Sequence, residues 1–283
     1  SFGGSEDDHG YSVAVDSSGN VYTTGKFNGT VDFDPGAGTT NLTSNGDDDV
    51  FVSKLDSSGD LVWAKNFGST TSDFSYSVAV DSSGNVYTTG YFRGTVDFDP
   101  GAGTTNLTPN FGFDVFVSKL DSSGDLVWAK NFGAGIANLS GNSVAVDSSG
   151  NVYTTGYFTG TADFDPGAGT TNLTPNGSRD VFVSKLDSSG DLVWAKSFGG
   201  TDWDQGNSVA VDSSGNVYTT GYFTRTADFD PGAGTTNLTI LPGFQGVFVV
   251  KLDSSGNLAP SGSAGLTVAA SGGSTSVSEA GST

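Results

Sequence analysis

Four pairs of aspartates, each pair split by one phenylalanine, recur at a fixed place in this chain: Asp32 and Asp34, Asp97 and Asp99, Asp163 and Asp165, Asp228 and Asp230. If Val31-Asp32-Phe33-Asp34 is extended, alternation puts both carboxylates on one face and Phe33 on the other. Pro35 to Gly38 then turns the chain. Carboxylates on a turn, with carbonyl oxygens near, are the hard oxygen ligands that Ca2+ takes, about 6 to 8 at a time. The spacing departs from a DxDxDG loop, because Gly36 stands where the third acid belongs. A structural reading competes: Asp34 caps the PGAG turn and Asp32 bonds backbone N–H groups. Both readings stay open on the sequence.

A second group of candidates lies where the copies differ from one another. Asp7, Asp8 and His9 form one such stretch, Asp73 and Phe74 another, and Asn138 a third; Asp202, Trp203 and Asp204 form the last. His9 is the single histidine, so a Ser-His-Asp site can occur once at most, and its acidic neighbours read better as a solvated loop. Paired carboxylates can hydrolyse glycosides, but an enzyme needs one unlike set of groups, and the repeats supply like ones. Trp203 between two acids is the strongest departure from symmetry, an aromatic platform suited to a sugar ring. Triplets such as NGT and NLT match a glycosylation pattern and are read as turn and strand residues.

These candidates hang from a tandem scaffold. SVAVDSSGNVYTTG occurs four times, beginning at Ser12, Ser77, Ser143 and Ser208, at spacings of 65, 66 and 65 residues. Val13 and Val15 alternate with small residues, Asp16 to Gly19 makes a turn, and Val21 to Thr24 resumes a β-branched and aromatic run, so the pattern predicts a hairpin. Val50 to Leu55 and Leu61 to Phe67, around a second DSSG turn, predict another. Two hairpins give four strands per unit, and repeated four-stranded sheets predict a β-propeller. Small residues in the first strand suit a crowded axis. Leu61, Trp63 and Phe67 in the fourth are expected to share one face, with the tryptophans packing unit against unit.

Units reading SVAVDSSGNVYTTGYF and DVFVSKLDSSGDLVWAKNFG resemble the bacterial SBBP beta-propeller repeat, over residues 1 to about 257. The resemblance implies a secreted or cell-surface bacterial protein in which propellers stand among other repeat modules, with no established activity. That family's repeat is shorter; the extra length here is GTVDFDPGAGTTNLT, between the second and third strands. The expected fold is therefore all-β, a propeller of four blades of four antiparallel strands, each with an added hairpin in that connection. In the fourth unit Asn257-Leu-Ala-Pro260 replaces DLVWAK, so its last strand is missing, and Phe2-Gly-Gly supplies only the tail of such a strand. A larger propeller with further blades is the alternative. The domain division is residues 1–257 as propeller and 258–283 as a Ser/Gly-rich linker or the start of a following domain. That tail weakly resembles the opening of a Calx-beta domain.

Composition narrows the function classes. The net charge of −20, from 31 acids against 11 Lys and Arg, argues against nucleic acid and anionic lipid as partners. The chain has no cysteine, which removes disulfides, thiol catalysis and thiolate metal sites. It has no methionine either, so it is expected to be a piece of a longer multidomain product. No stretch approaches the ~20 apolar residues that span a bilayer. Strand alternation puts every DSSG turn on one face and every variable loop, with the long connections, on the other. Partner binding is expected on that variable face. The sequence therefore predicts a non-enzymatic interaction or structural module, with calcium as the one candidate cofactor and a protein or carbohydrate as partner. A lectin-like or glycoside-acting propeller is the alternative.

Overall fold

The structure is a computed structural model that describes residues 2–109, 112–133 and 138–259. All regular structure in them is β. His9–Val15, Val21–Phe27, Asp49–Leu55 and Leu61–Phe67 pair in that order as one antiparallel sheet. The second sheet is built alike from Phe74–Val80, Val86–Phe92, Asp114–Leu120 and Leu126–Phe132. The third runs Leu139–Val146, Val152–Phe158, Asp180–Leu186, Leu192–Gly200. The fourth has three strands, Gln205–Val211, Val217–Thr224 and Gln245–Leu252, with only a bridge from Leu258 to Leu252 beginning another. The expected loss of its last strand is thus seen among the described residues. The Ser/Gly-rich tail from 260 onward lies outside them.

Each hairpin closes on an Asp-Ser-Ser-Gly turn whose aspartate does several jobs at once. Asp16 Oδ1 accepts the N–H groups of Ser18 and Asn20, at 2.9 and 3.0 Å, while Oδ2 accepts Asn20 Nδ2 and the Tyr22 hydroxyl. Gly19 takes φ of 82°, a left-handed value that the turn requires and that a side chain would resist. The Asn20 hydrogen bond, with the backbone ones, holds the Asp16 carboxyl down to about 2. In the second strand, Gly90 faces the register shift of the innermost strand, and a Cβ there would run into the carbonyl oxygen of Phe74.

The core lies between sheets rather than within one. Trp63, Phe67, Val50 and Val52 of unit 1 pack on Val78, Val86, Phe92 and Phe116 of unit 2, and the next two junctions repeat the set. At the inner edge, the Val78 N–H donates to Ser12 Oγ at 3.2 Å, as Val144 does to Ser77 and Val209 to Ser143. At the outer edge, Trp63 Nε1 donates to the Ser122 carbonyl in the next unit's turn at 3.1 Å, with Trp128 to Ser188 and Trp194 to Ser254 alike. The tryptophans therefore join neighbouring units. One expectation is corrected: Leu126 packs in the junction between units 1 and 2, while Trp128 packs in the one between units 2 and 3. The ladder slips between Lys119 and Leu120, so Val127 bulges outward and the leucine turns to the opposite face.

The inserted segment is a short ribbon in every unit, Thr30–Asp32 with Asn41–Thr43 in the first. It crosses a junction. Gly3 bridges to Asp32, Gly133 to Asp163 and Gly199 to Asp228, so the end of one unit's last strand pairs with the next unit's ribbon. Phe98, in the second ribbon, is fully buried with its ring centroid 4.8 Å from that of Phe67 in unit 1. Phe2 fills the same place over Phe33, at 5.1 Å.

Candidate functional site

The variable face collects the ribbons, the loops before each innermost strand and the loops before each third strand. Alternation in Asp-Phe-Asp works as the sequence predicts, with Phe33, Phe98, Phe164 and Phe229 buried and the aspartates turned outward. Asp32 Oδ1 accepts the N–H groups of Asp34 and Thr40, at 3.0 and 2.8 Å. Those two bonds hold its carboxyl below the ordinary range. Asp34 Oδ1 accepts the Gly36 N–H at 2.7 Å. Asp97 and Asp99, Asp163 and Asp165, and Asp228 and Asp230 repeat the scheme. This is turn capping in all four units. Among the described residues no three His, Cys, Asp or Glu side chains converge to hold a metal ion.

The loops before the innermost strands are pinned by acids that the sequence placed among binding candidates. Asp73 Oδ2 accepts the Ser69 N–H at 2.6 Å and Oδ1 the Arg93 N–H at 2.7 Å, which ties the loop to the second strand. Asp204 does this with Gly200 and Thr224, and Asp8 with Gly4 and Asn28. In unit 3 Asn138 does it through its main chain, exchanging bonds with Thr159. Asp73 and Asp204 are fully buried. Asp7 and His9 are exposed, and His9 stacks on Tyr11 at 5.8 Å.

Burial creates an electrostatic feature that the sequence did not show. Asp49, at the start of the third strand, is fully buried beside Asp73, and Asp180 is buried beside Asp204. Loss of water, reinforced by the neighbouring acid, pushes Asp49 up to about 7 and Asp180 up to about 6. Burial likewise pushes Asp73 up to about 6. Asp49 Oδ1 and Asp180 Oδ1 have no hydrogen-bond partner among the described residues. In the fourth unit Gly246 holds this place.

Around these anchors the surface is aromatic. Tyr11, Tyr76, Tyr91 and Phe113 follow one another with centroids 5.3, 5.9 and 4.8 Å apart, and the Arg93 guanidinium lies 3.8 Å over Phe113. In units 3 and 4 Arg179 lies 3.7 Å over Tyr157 and 5.1 Å from the Trp203 ring, and donates to Gln205 Oε1. Beside it opens a cleft of about 610 Å3, lined by Asp202, Trp203, Thr224, Arg225, Phe244 and Gln245 among others. Trp203 and Phe244 are 58% and 59% exposed. Arg225, held at φ 55°, pairs with Asp202 at 2.8 Å. This cleft breaks the fourfold pattern, because only the fourth unit carries Trp203, Arg225 and Phe244 at these places. Sequence reasoning found Trp203 and Asp202 and missed Arg179, Arg225 and Phe244.

The SBBP beta-propeller repeat matches residues 2–31, 62–91, 127–165 and 193–222, one match for each of the four units. The chain belongs to the SBBP beta-propeller repeat family. The last three matches begin in a unit's last strand and run into the next unit's first hairpin, the two elements that a junction joins, and the first match begins at Phe2. Among curated proteins, these SBBP repeats are 29% identical over 236 residues to the uncharacterized WD repeat-containing protein L264 of Acanthamoeba polyphaga mimivirus. That match covers 72% of this chain and 17% of the relative. The regulatory protein FlaEY of Caulobacter vibrioides is 33% identical over 108 residues, covering 38% of this chain and 11% of FlaEY. The chain thus spans less than a fifth of the length of either relative. A solved structure from Bacteroides caccae, of unknown function, aligns with TM-score 0.34 at 11% identity, covering 89% of this chain and 81% of that one.

Proposed function

We propose that this four-unit SBBP segment is a non-enzymatic binding module of a longer, secreted or surface-attached protein, and that it holds a carbohydrate in the cleft at Trp203. The break in fourfold symmetry carries the reading: one exposed indole, an exposed Phe244, and polar groups from Asp202, Arg225 and Gln245 meet at one place. An aromatic face takes the C–H side of a sugar ring, while an ion-paired carboxylate and guanidinium fix hydroxyls. Glycoside cleavage would need a second carboxylate across the cleft. Here Asp202 is paired with Arg225, and Asp204 is buried in its loop.

The test is calorimetric titration with neutral oligosaccharides, alongside an assay for released reducing ends. Trp203→Ala is expected to weaken binding at least about tenfold, the loss of one stacked ring, with the melting temperature nearly unchanged because the side chain is exposed. Equal affinity in the two proteins would remove the cleft as the site, and released reducing ends would restore the glycoside-acting alternative.

The aspartate pairs are read as turn locks. Asp97→Ala is expected to cost about 1–2 kcal/mol, since two backbone N–H groups lose their acceptor. The melting temperature is expected to be the same in EDTA and in about 10 mM calcium, above the affinity range of extracellular calcium modules. A saturable rise of several degrees would instead make Asp32, Asp34 and their counterparts calcium ligands.

A further inference from the structure

The first and fourth sheets each present a face that nothing in the described chain covers. On the first sheet Val13 and Val15 are 63% and 59% exposed, whereas the counterparts of Val13 in the later units, Val78, Val144 and Val209, are 5–6% exposed under the preceding sheet. On the fourth sheet Val247 and Val249 are 54% and 40% exposed, while their counterparts Val50 and Val52, Val115 and Val117, Val181 and Val183 are fully buried by the following sheet. Every internal junction mates one face of each kind. The chain therefore carries both halves of a contact that it makes three times within itself, and leaves the two halves at opposite ends.

We propose that a second copy of this chain docks its fourth sheet on the first sheet, head to tail. The polar contacts of the internal junctions name the pairs. The Ser208 hydroxyl stands where Ser12, Ser77 and Ser143 accept a valine N–H, so it meets the Val13 N–H of the neighbouring copy. Lys251 corresponds to Lys54, whose Nζ donates to the next turn's Ser122 carbonyl at 3.2 Å, so it meets the Ser57 carbonyl. Both are copies of bonds already present in the fold. One element is lacking: Gly124, Gly190 and Gly256 lie under Trp63, Trp128 and Trp194, but nothing lies within 4 Å of Gly59 at the matching place. The fourth sheet has no such tryptophan to bring. The contact between copies is accordingly weaker than those within one. Each copy also carries a charge of −20, so added salt strengthens it by screening repulsion. The contact is heterologous, joining unlike faces, and closes into a ring or extends as a chain according to the angle between copies.

Sedimentation velocity in 0.5 M salt, from about 1 to 200 µM protein, reads the association in the range of a small interface. The wild type is expected to grow in mass across that range. V13E/V15E and V247E/V249E are each expected to stay monomeric with unchanged circular dichroism, since all four side chains are exposed. An equimolar mixture of the two variants retains one intact face of each kind and is expected to form a dimer of one copy of each. A wild type that is monomeric throughout would overturn the proposal, whether the free faces close on each other within one chain or stay bare. Association that survives either double variant, or a mixture that stays monomeric, would overturn it as well.

Discussion

Replacing Phe98 with alanine is expected to lower stability by roughly 3–5 kcal/mol, the range for deleting a buried aromatic ring. Phe98 is fully buried, and its ring centroid lies 4.8 Å from Phe67, 5.3 Å from Phe92 and 5.2 Å from Phe116. Phe67 belongs to the preceding unit. The lost ring therefore opens a cavity at a junction and loosens the ribbon that crosses it. For a chain of this size the midpoint should fall by roughly 10 °C. Urea denaturation with a two-state fit at low temperature checks the figure. A loss under about 1 kcal/mol would mean that the ribbon is an ornament on the blade and not a strap between blades.

The second large effect is a displaced pH optimum. Asp49, Asp73 and Asp180 have folded-state values near 7, 6 and 6, above the ordinary 3.8. The folded chain thus holds protons that the unfolded chain releases, and stability falls as pH rises from about 4 to about 7. The turn acids work in the opposite sense. Asp16 and Asp212 sit near 2 when folded, so their contribution is present above about 4 and fades as pH falls toward 2. Together these place the greatest stability near pH 4 to 5, below neutrality. A proton's worth of shift is ~1.4 kcal/mol per unit, and screening reduces what is realised, so about 2 kcal/mol for Asp49 is the expected size. Asp49→Asn should gain about that much at pH 8 and little at pH 4. Thermal midpoints of both proteins from pH 3 to 8, in dilute solution because the isoelectric point is about 4.1, would show it. A wild-type profile that rises steadily to pH 8 would mean that these carboxylates are hydrated in solution.

The link between the two effects is the blade junction. Stability in this fold comes from one junction repeated, with Ser at the inner edge, apolar side chains between, and Trp and the Phe ribbon outside. The buried acids sit in the same seams, on the side that carries the variable loops. Loop sequence is consequently free only around these anchors: Asp8, Asp73 and Asp204 keep one place while their neighbours change. Comparing units within the chain singled these residues out as variable-loop candidates. Their shared distance from the second strand, which marks them as anchors, was available in the same alignment and points the other way.

The sequence alone determined the repeat, its two hairpins, the eight Asp-Ser-Ser-Gly turns, the inserted ribbon, the absence of a last strand from the fourth unit among the described residues, and the inward turn of Phe33 and its counterparts. Those follow from period-two patterning and from turn chemistry, which are local. The backbone bonds of the aspartate pairs come from N–H groups such as that of Thr40, which fold back from beyond the PGAG turn and so are not visible in local sequence. The slip that separates Leu126 from Trp128 is a property of paired strands and is invisible in either one. Burial of Asp49 and Asp180, the meeting of Arg179 with Trp203, and the exposure of Val13 and Val249 arise from which sheet covers which face. Hydrophobic alternation says that a face seeks cover; only the tertiary arrangement decides what covers it, because that depends on surfaces far apart in the chain.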